Sequence, residues 1–168
     1  PIPLLKAVKN TTELDGFRLA CRKDGVALSK FYYWLENRLS QQPITELEAA
    51  EQLTRFRSQD KEYVSDSFGC ISAYGPNAAL PHYSATLEQQ SKIHPKGLYL
   101  VDSGAQYMHG TTDITRTMPL GELTELEKED YTLVLKGMID LSMLYFPKGS
   151  KGCNICLLYT SDAADDRI

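Results

Sequence analysis

Leu100-Val-Asp-Ser-Gly-Ala-Gln-Tyr-Met-His-Gly-Thr-Thr-Asp-Ile-Thr-Arg-Thr117 holds two strand-like runs on either side of a centre near Tyr107 and Met108. Folded back as a regular antiparallel hairpin, this stretch predicts Asp102 directly opposite Asp113. Opposed residues point to the same face, with Cβ atoms about 5 Å apart. Val101 and Ile114 then point the other way, into a core. A slip of one residue would send every side chain to the wrong face. Two carboxylates at that spacing repel and need a counter-charge. A shared proton would suit a general-acid pair, and a divalent cation would suit a pair of ligands. Gly104 and Gly110 add no bulk, and Ser103, Thr111, Thr112 and Thr115 supply hydroxyls to line such a site. The same spacing fits aspartates that cap turns or pair with Arg116 on an exposed hairpin. Spacing alone leaves both readings open.

Upstream of the hairpin, Phe68–Tyr74 is short and apolar or small, and it stops at Gly75-Pro-Asn77, a strong turn signal. Strands are also expected over Gly97–Asp102 and Thr112–Thr117. Nearer the N-terminus, Asn10-Thr-Thr-Glu13 has the form of a helix cap with an acidic residue three positions on. Apolar residues then recur at spacings of three and four from Leu14 to Leu35, which predicts one long helix or two broken near Gly25. Thr45 is expected to cap a second helix, with Leu47, Ala50, Leu53 and Phe56 at three-residue intervals. Residues 1–9, with Pro1 and Pro3, read as an incoming linker. After the hairpin, Thr124 and Glu127 can form a capping box for a third helix that Phe146-Pro-Lys-Gly149 closes. Helices, then antiparallel strands, then a helix make an α+β order rather than a βαβ repeat.

The chain has 168 residues, a length suited to one domain, with 42% hydrophobic and 24% charged residues. Its 11 glycines and 8 prolines are ordinary for a globular protein. With a net charge of -4 and no cluster of more than two adjacent lysines or arginines, it lacks the basic footprint that nucleic acid requires. No apolar run reaches membrane-spanning length. Of the four cysteines, Cys153 and Cys156 are close together, but no second pair or nearby histidine completes a zinc set. Free thiols and a reducing, cytoplasmic home are the default expectation. Residues Cys156 to Ile168 continue no clear periodicity and resemble a frame-translated adaptor read-through. They are expected to be a non-native tail to a domain over residues 10–155.

Asp102-Ser-Gly-Ala-Gln-Tyr107, Gly110-Thr-Thr-Asp-Ile-Thr-Arg-Thr117 and Gly75-Pro-Asn with His82-Tyr83 together change the reading. With Val134-Leu-Lys-Gly137 and Phe146-Pro-Lys-Gly-Ser-Lys-Gly152, they make the chain resemble the cytosolic, long-form Xaa-Pro aminopeptidases. These belong to the creatinase/methionine-aminopeptidase superfamily. The resemblance implies the first part of a pita-bread catalytic domain, with helices packed on an antiparallel sheet. It implies Asp102 as a ligand of one metal and Asp113 as the bridge between two divalent ions, commonly manganese in relatives. It also implies His82 near the scissile bond, assisting proton transfer or orienting substrate. Taken without the resemblance, His82 reads equally well as a loop histidine satisfied by water. His94 and His109 gain no role from it and are expected to face solvent.

The implied reaction removes the N-terminal residue that precedes proline in a peptide, and dimerisation is common in relatives. A histidine and two glutamates that normally complete the metal set have no counterpart in this sequence. The chain by itself is therefore expected to be inactive and to fold only partly. The rival reading is a pita-bread domain that has become a non-catalytic protein-interaction module.

Overall fold

The computed structural model describes residues 2–152, and the expected tail from Cys156 onward lies outside them. Two units make up the chain, residues 1–121 and residues 122–168.

The first unit opens with helix α1 (Ile2–Ala7), where a linker was expected; none of its residues is buried. Helix α2 (Thr11–Leu39) follows and runs through Gly25 without a break. Its start is the expected capping box, with the Asn10 side chain accepting from Glu13 N at 2.9 Å and Glu13 Oε2 accepting from Asn10 N at 2.8 Å. Strand β1 (Ile44–Thr45) leads into α3 (Glu46–Arg57), capped by Thr45 and Glu48 in the same way. Next come β2 (Tyr63–Asp66), β3 (Ile71–Tyr74), a 3-10 turn (Gly75–Ala79) and β4 (Lys92–Ile93). The hairpin supplies β5 (Leu98–Ser103), β6 (Ala105–Tyr107), β7 (Gly110–Thr111) and β8 (Ile114–Pro119).

Among the described residues all strand pairings are antiparallel, in the orders β1-β4, β2-β6-β7 and β3-β5-β8. The first arm of the hairpin therefore takes two different outer neighbours along its length, β3 beside β5 and β2 beside β6. Strand β5 alternates between half-buried Leu98, Leu100 and Asp102 and buried Tyr99, Val101 and Ser103. That period of two turns one face to the helices. Phe31, Leu35 and Leu39 of α2 and Ala49 and Leu53 of α3 close over this face with Tyr99, Val101 and Ile93. Burying side chains of this size contributes roughly 1.5–3 kcal/mol each, which makes this cluster the main cohesive element of the unit.

The buried stripe of α3 differs from the expected one. Glu46, Ala49, Leu53 and Arg57 are its buried residues, while Leu47, Ala50 and Phe56 are half-buried. Leu53 is common to both; counting apolar residues at a spacing of three missed the stripe's ends because two of its four members, Glu46 and Arg57, are charged.

In the second unit, helix α4 (Glu125–Ser142) begins with the expected capping box of Thr124 and Glu127. None of its residues is buried, and Leu126, Leu133, Val134, Met138 and Ile139 are exposed.

Candidate functional site

The hairpin is centred one residue later than its sequence suggested. Tyr107 faces Gly110 across the turn, so Met108 and His109 form its tip. Asp102 consequently lies opposite Thr115, not Asp113. The change in pairing is two residues, an even number, and so it preserves the side on which each residue stands. Val101 and Ser103 are buried and Asp102 is half-buried; Thr112 is buried, Asp113 exposed, and Ile114 packs on the core. Alternation thus leaves Asp102, Asp113 and Thr115 on the open face, with Asp113 diagonal to Asp102. Such diagonal neighbours stand about 7–8 Å apart along the backbone, a gap that long side chains or a bridging cation can span.

The strand pairing lapses at Gly104 on one arm and at Thr112 and Asp113 on the other. Here the arms press together. A Cβ on Gly104 would stand 2.0 Å from the Thr112 carbonyl oxygen and 2.3 Å from Ser67 Oγ. Thr112 N donates to Ala105 O at 2.8 Å, and Ala105 N donates to Thr112 Oγ1 at 3.0 Å. Ser67 Oγ donates to Thr112 O at 2.9 Å. The tip rests on α2 through Gly110, whose added Cβ would meet Phe17 Cα at 3.1 Å and Ala20 Cβ at 3.2 Å.

Beneath this lapse lies a buried polar group that periodicity alone did not reveal. Arg57 and Asp24 form a two-pronged ion pair, Nε to Oδ1 at 2.7 Å and Nη2 to Oδ2 at 3.0 Å. Arg57 also donates to Ser103 Oγ and to the Gly104 carbonyl. Asp24 accepts from Tyr107 Oη and Thr112 Oγ1. Burial, with the charge of Asp24 beside it, pushes the Tyr107 phenol well above its ordinary value and keeps it a donor. A legible signal existed, since Asp24 falls in phase with Ala20, Ala27 and Phe31, and Arg57 in phase with Ala49 and Leu53.

His82 sits on the exposed loop that follows β3 and has φ 55°, a left-handed conformation uncommon for a residue with a side chain. Strand β3 passes Asp102 at Ile71 and leaves beside Tyr99 at Tyr74, so this loop departs from the far end of the strand. Its anchor is Glu46, a fully buried carboxylate. Glu46 accepts from Tyr74 N, Ser91 N and Tyr83 Oη at 2.7 Å each, and from Asn77 Nδ2 at 3.0 Å. Asn77 and Tyr83 belong to the Gly-Pro-Asn and His-Tyr motifs, whose shared partner is thereby identified. The Tyr83 phenol is pushed up to about 12 by burial and by the carboxylate it serves. His109 is exposed, with Nε2 3.8 Å from Glu62, and half-buried His94 tilts against Tyr74.

Among the described residues, no three His, Cys, Asp or Glu side chains gather to hold a metal ion. What the hairpin offers is two carboxylates and the Thr115 position, hard oxygen donors that suit manganese or magnesium better than soft metals. Cys70, adjacent to the Asp102 partner Ile71, has its thiol pushed up to about 12 by burial. It stays protonated at neutral pH, and thiols ligate as thiolates. The residues present thus fit part of a hard-cation site.

Similar folds occur among solved structures. X-prolyl aminopeptidase from Caenorhabditis elegans, described as a cytosolic enzyme with a di-nuclear active site, matches at a TM-score of 0.83 and 40% identity, over 92% of this chain and 26% of that one. Xaa-Pro dipeptidase from Bacillus anthracis matches at 0.76 and 26% identity, over 94% of this chain and 41% of that one. The α+β arrangement of helices on antiparallel strands is the pita-bread architecture of the creatinase and aminopeptidase fold. The model of metallopeptidase family M24 matches residues 15–163, and the chain belongs to that family. A probable Xaa-Pro aminopeptidase P from Paracoccidioides brasiliensis (strain Pb03) is 50% identical over 157 residues, 92% of this chain and 26% of that protein. The chain spans about a quarter of the length of the curated relatives it matches.

Proposed function

We propose that this chain contributes the opening part of the catalytic domain of a cytosolic, metal-dependent Xaa-Pro aminopeptidase, with Asp102 and Asp113 as metal ligands. What supports the reading is alternation along the hairpin, which assigns Asp102 and Asp113 to the side opposite buried Val101 and Ser103. Asp102 would hold one divalent ion and Asp113 would serve as a ligand shared by two, and their oxygen donors suit a hard cation such as manganese. Divalent cations bound there would lower the pKa of a coordinated water and polarise the scissile carbonyl.

The chain's own groups do the remaining work assigned to it. His82, on the loop that Glu46 fastens, orients the peptide near the scissile bond or moves a proton there. Proline at the second substrate position has no N–H and a fixed φ, which a shaped pocket can select. Two carboxylates cannot complete the coordination of either ion. The 168-residue chain alone is therefore expected to release no arginine from an Arg-Pro-Pro peptide in excess manganese.

A chimera tests the reading. The corresponding segment of the fungal relative is replaced by residues 10–152 of this chain, and the product is assayed on Arg-Pro-Pro and Arg-Ala-Ala. Manganese-dependent release of arginine from Arg-Pro-Pro alone is expected, with His82→Ala lowering kcat by about two orders of magnitude. A soluble, folded chimera without peptidase activity would overturn it.

A further inference from the structure

The enclosed ion pair behind the hairpin has no part in the peptidase reading so far. Asp24 is 2% and Arg57 1% exposed. A buried pair of this kind adds little net stability, because desolvation offsets most of the attraction, and apolar residues of equal volume often serve as well. Apolar residues could not, however, reach the polar groups on both hairpin arms. Arg57 Nη2 donates to Ser103 Oγ at 3.1 Å and Nη1 to Gly104 O at 3.3 Å, and these two residues follow Asp102. Asp24 Oδ2 accepts from Thr112 Oγ1 at 2.9 Å, and Thr112 precedes Asp113. Tyr107 Oη reaches Asp24 Oδ1 at 3.2 Å from near the tip. Arg57 grips the first arm, and Asp24 grips the second as well as Tyr107 near the tip, at the place where strand pairing thins to the Thr112 N to Ala105 O hydrogen bond.

The geometry points to Asp24 and Arg57 as positioning residues for the cation site: their ion pair clamps the arms so that Asp102 and Asp113 share one face at ligating separation. This rests on the metal reading above. Neither residue touches the cation; both act through Ser103, Gly104 and Thr112.

The test uses the peptidase chimera, which supplies the remaining ligands, with Mn2+ as probe, and compares Asp24→Leu/Arg57→Met, which removes both charges at similar volume, with Arg57→Lys, which keeps the charge but loses the fork. Leu53→Ala serves as a variant destabilised elsewhere in the core. Amide hydrogen exchange is followed at Ala105 and Thr112 against Tyr99 and Val101. Paramagnetic broadening by Mn2+ is followed at the Ser103 and Ile114 amides. Both clamp variants are expected to speed exchange at Ala105 and Thr112 selectively and to raise half-saturating Mn2+ by about tenfold or more. Leu53→Ala is expected to do neither. Unchanged exchange at Ala105 and Thr112, or a Mn2+ response no weaker than that of Leu53→Ala, would overturn the clamp alone. If the chimera without substitutions shows no broadening beside Asp102 and Asp113, the cation reading itself fails and the clamp loses its object. Should the double variant not fold, Arg57→Lys carries the same comparison.

Discussion

Gly104 sets how closely the hairpin arms approach between the two aspartates. Any Cβ there would lie inside the contact distance of the Thr112 carbonyl, which is backbone and cannot swing aside. Gly104→Ala is expected to cost about 1–3 kcal/mol, read as a lower urea midpoint, and to disturb the 102–113 region most. A second residue-scale test is Glu46→Gln. The amide would set a donor against Tyr74 N, Ser91 N or Tyr83 Oη, all of which now donate to the carboxylate. The expected loss is about 2–3 kcal/mol, with faster exchange of the Ser91 amide beyond the global change. Sequence made the candidate residues visible but not what holds them. Asp102, Asp113 and His82 stand out as chemistry-bearing groups in motifs. Asp24, Glu46 and Arg57 were hidden because a charged side chain in a helix is ordinarily given to water, and only their phase with the apolar stripe contradicts that.

Among the elements, α2 is fastened to the chain entering β2 by an ion cluster. Lys23 Nζ lies 2.9 Å from Asp60 Oδ1 and also bonds Glu62. The Lys23 hydrogen bond holds both carboxyl groups below the usual carboxylate range. Glu62 first, then Asp60, holds the Lys23 ammonium above its ordinary value. The depressed carboxylates contribute stability above about pH 4.5 that is lost as pH falls through their folded-state values. The raised lysine contributes below about pH 10 and loses its contribution as pH climbs through its folded-state value. Native chain and Lys23→Met are therefore expected to differ in urea midpoint between about pH 5 and 9, with the difference shrinking on either side. A difference independent of pH from 3 to 11, roughly the span of these titrations, would remove the cluster from the account. Most elements were legible because caps and periodicity mark them, as at Asn10, Thr45 and Thr124. The hairpin register was not. Its tip, Met108-His109, lacks the Asn-Gly or Gly-rich chemistry that usually fixes a two-residue turn, and it is held from outside, with Met108 N donating to Glu62 O at 2.9 Å.

At the scale of the whole molecule, α4 presents apolar side chains such as Leu126, Val134 and Met138 at 66, 58 and 49% exposure. Contiguous exposure of this kind marks a face that ordinarily meets another surface. The isolated chain is expected to self-associate through this face, checked by sedimentation at rising concentration; a monodisperse monomer would speak against it. The larger claim concerns one cation between two carboxylates. Crystals of the peptidase chimera soaked in Mn2+ and measured at the manganese absorption edge address it directly. An anomalous peak is expected within about 2.0–2.6 Å of carboxylate oxygens from both Asp102 and Asp113. A peak that touches neither, or carboxylates on opposite sides of the hairpin, would contradict it.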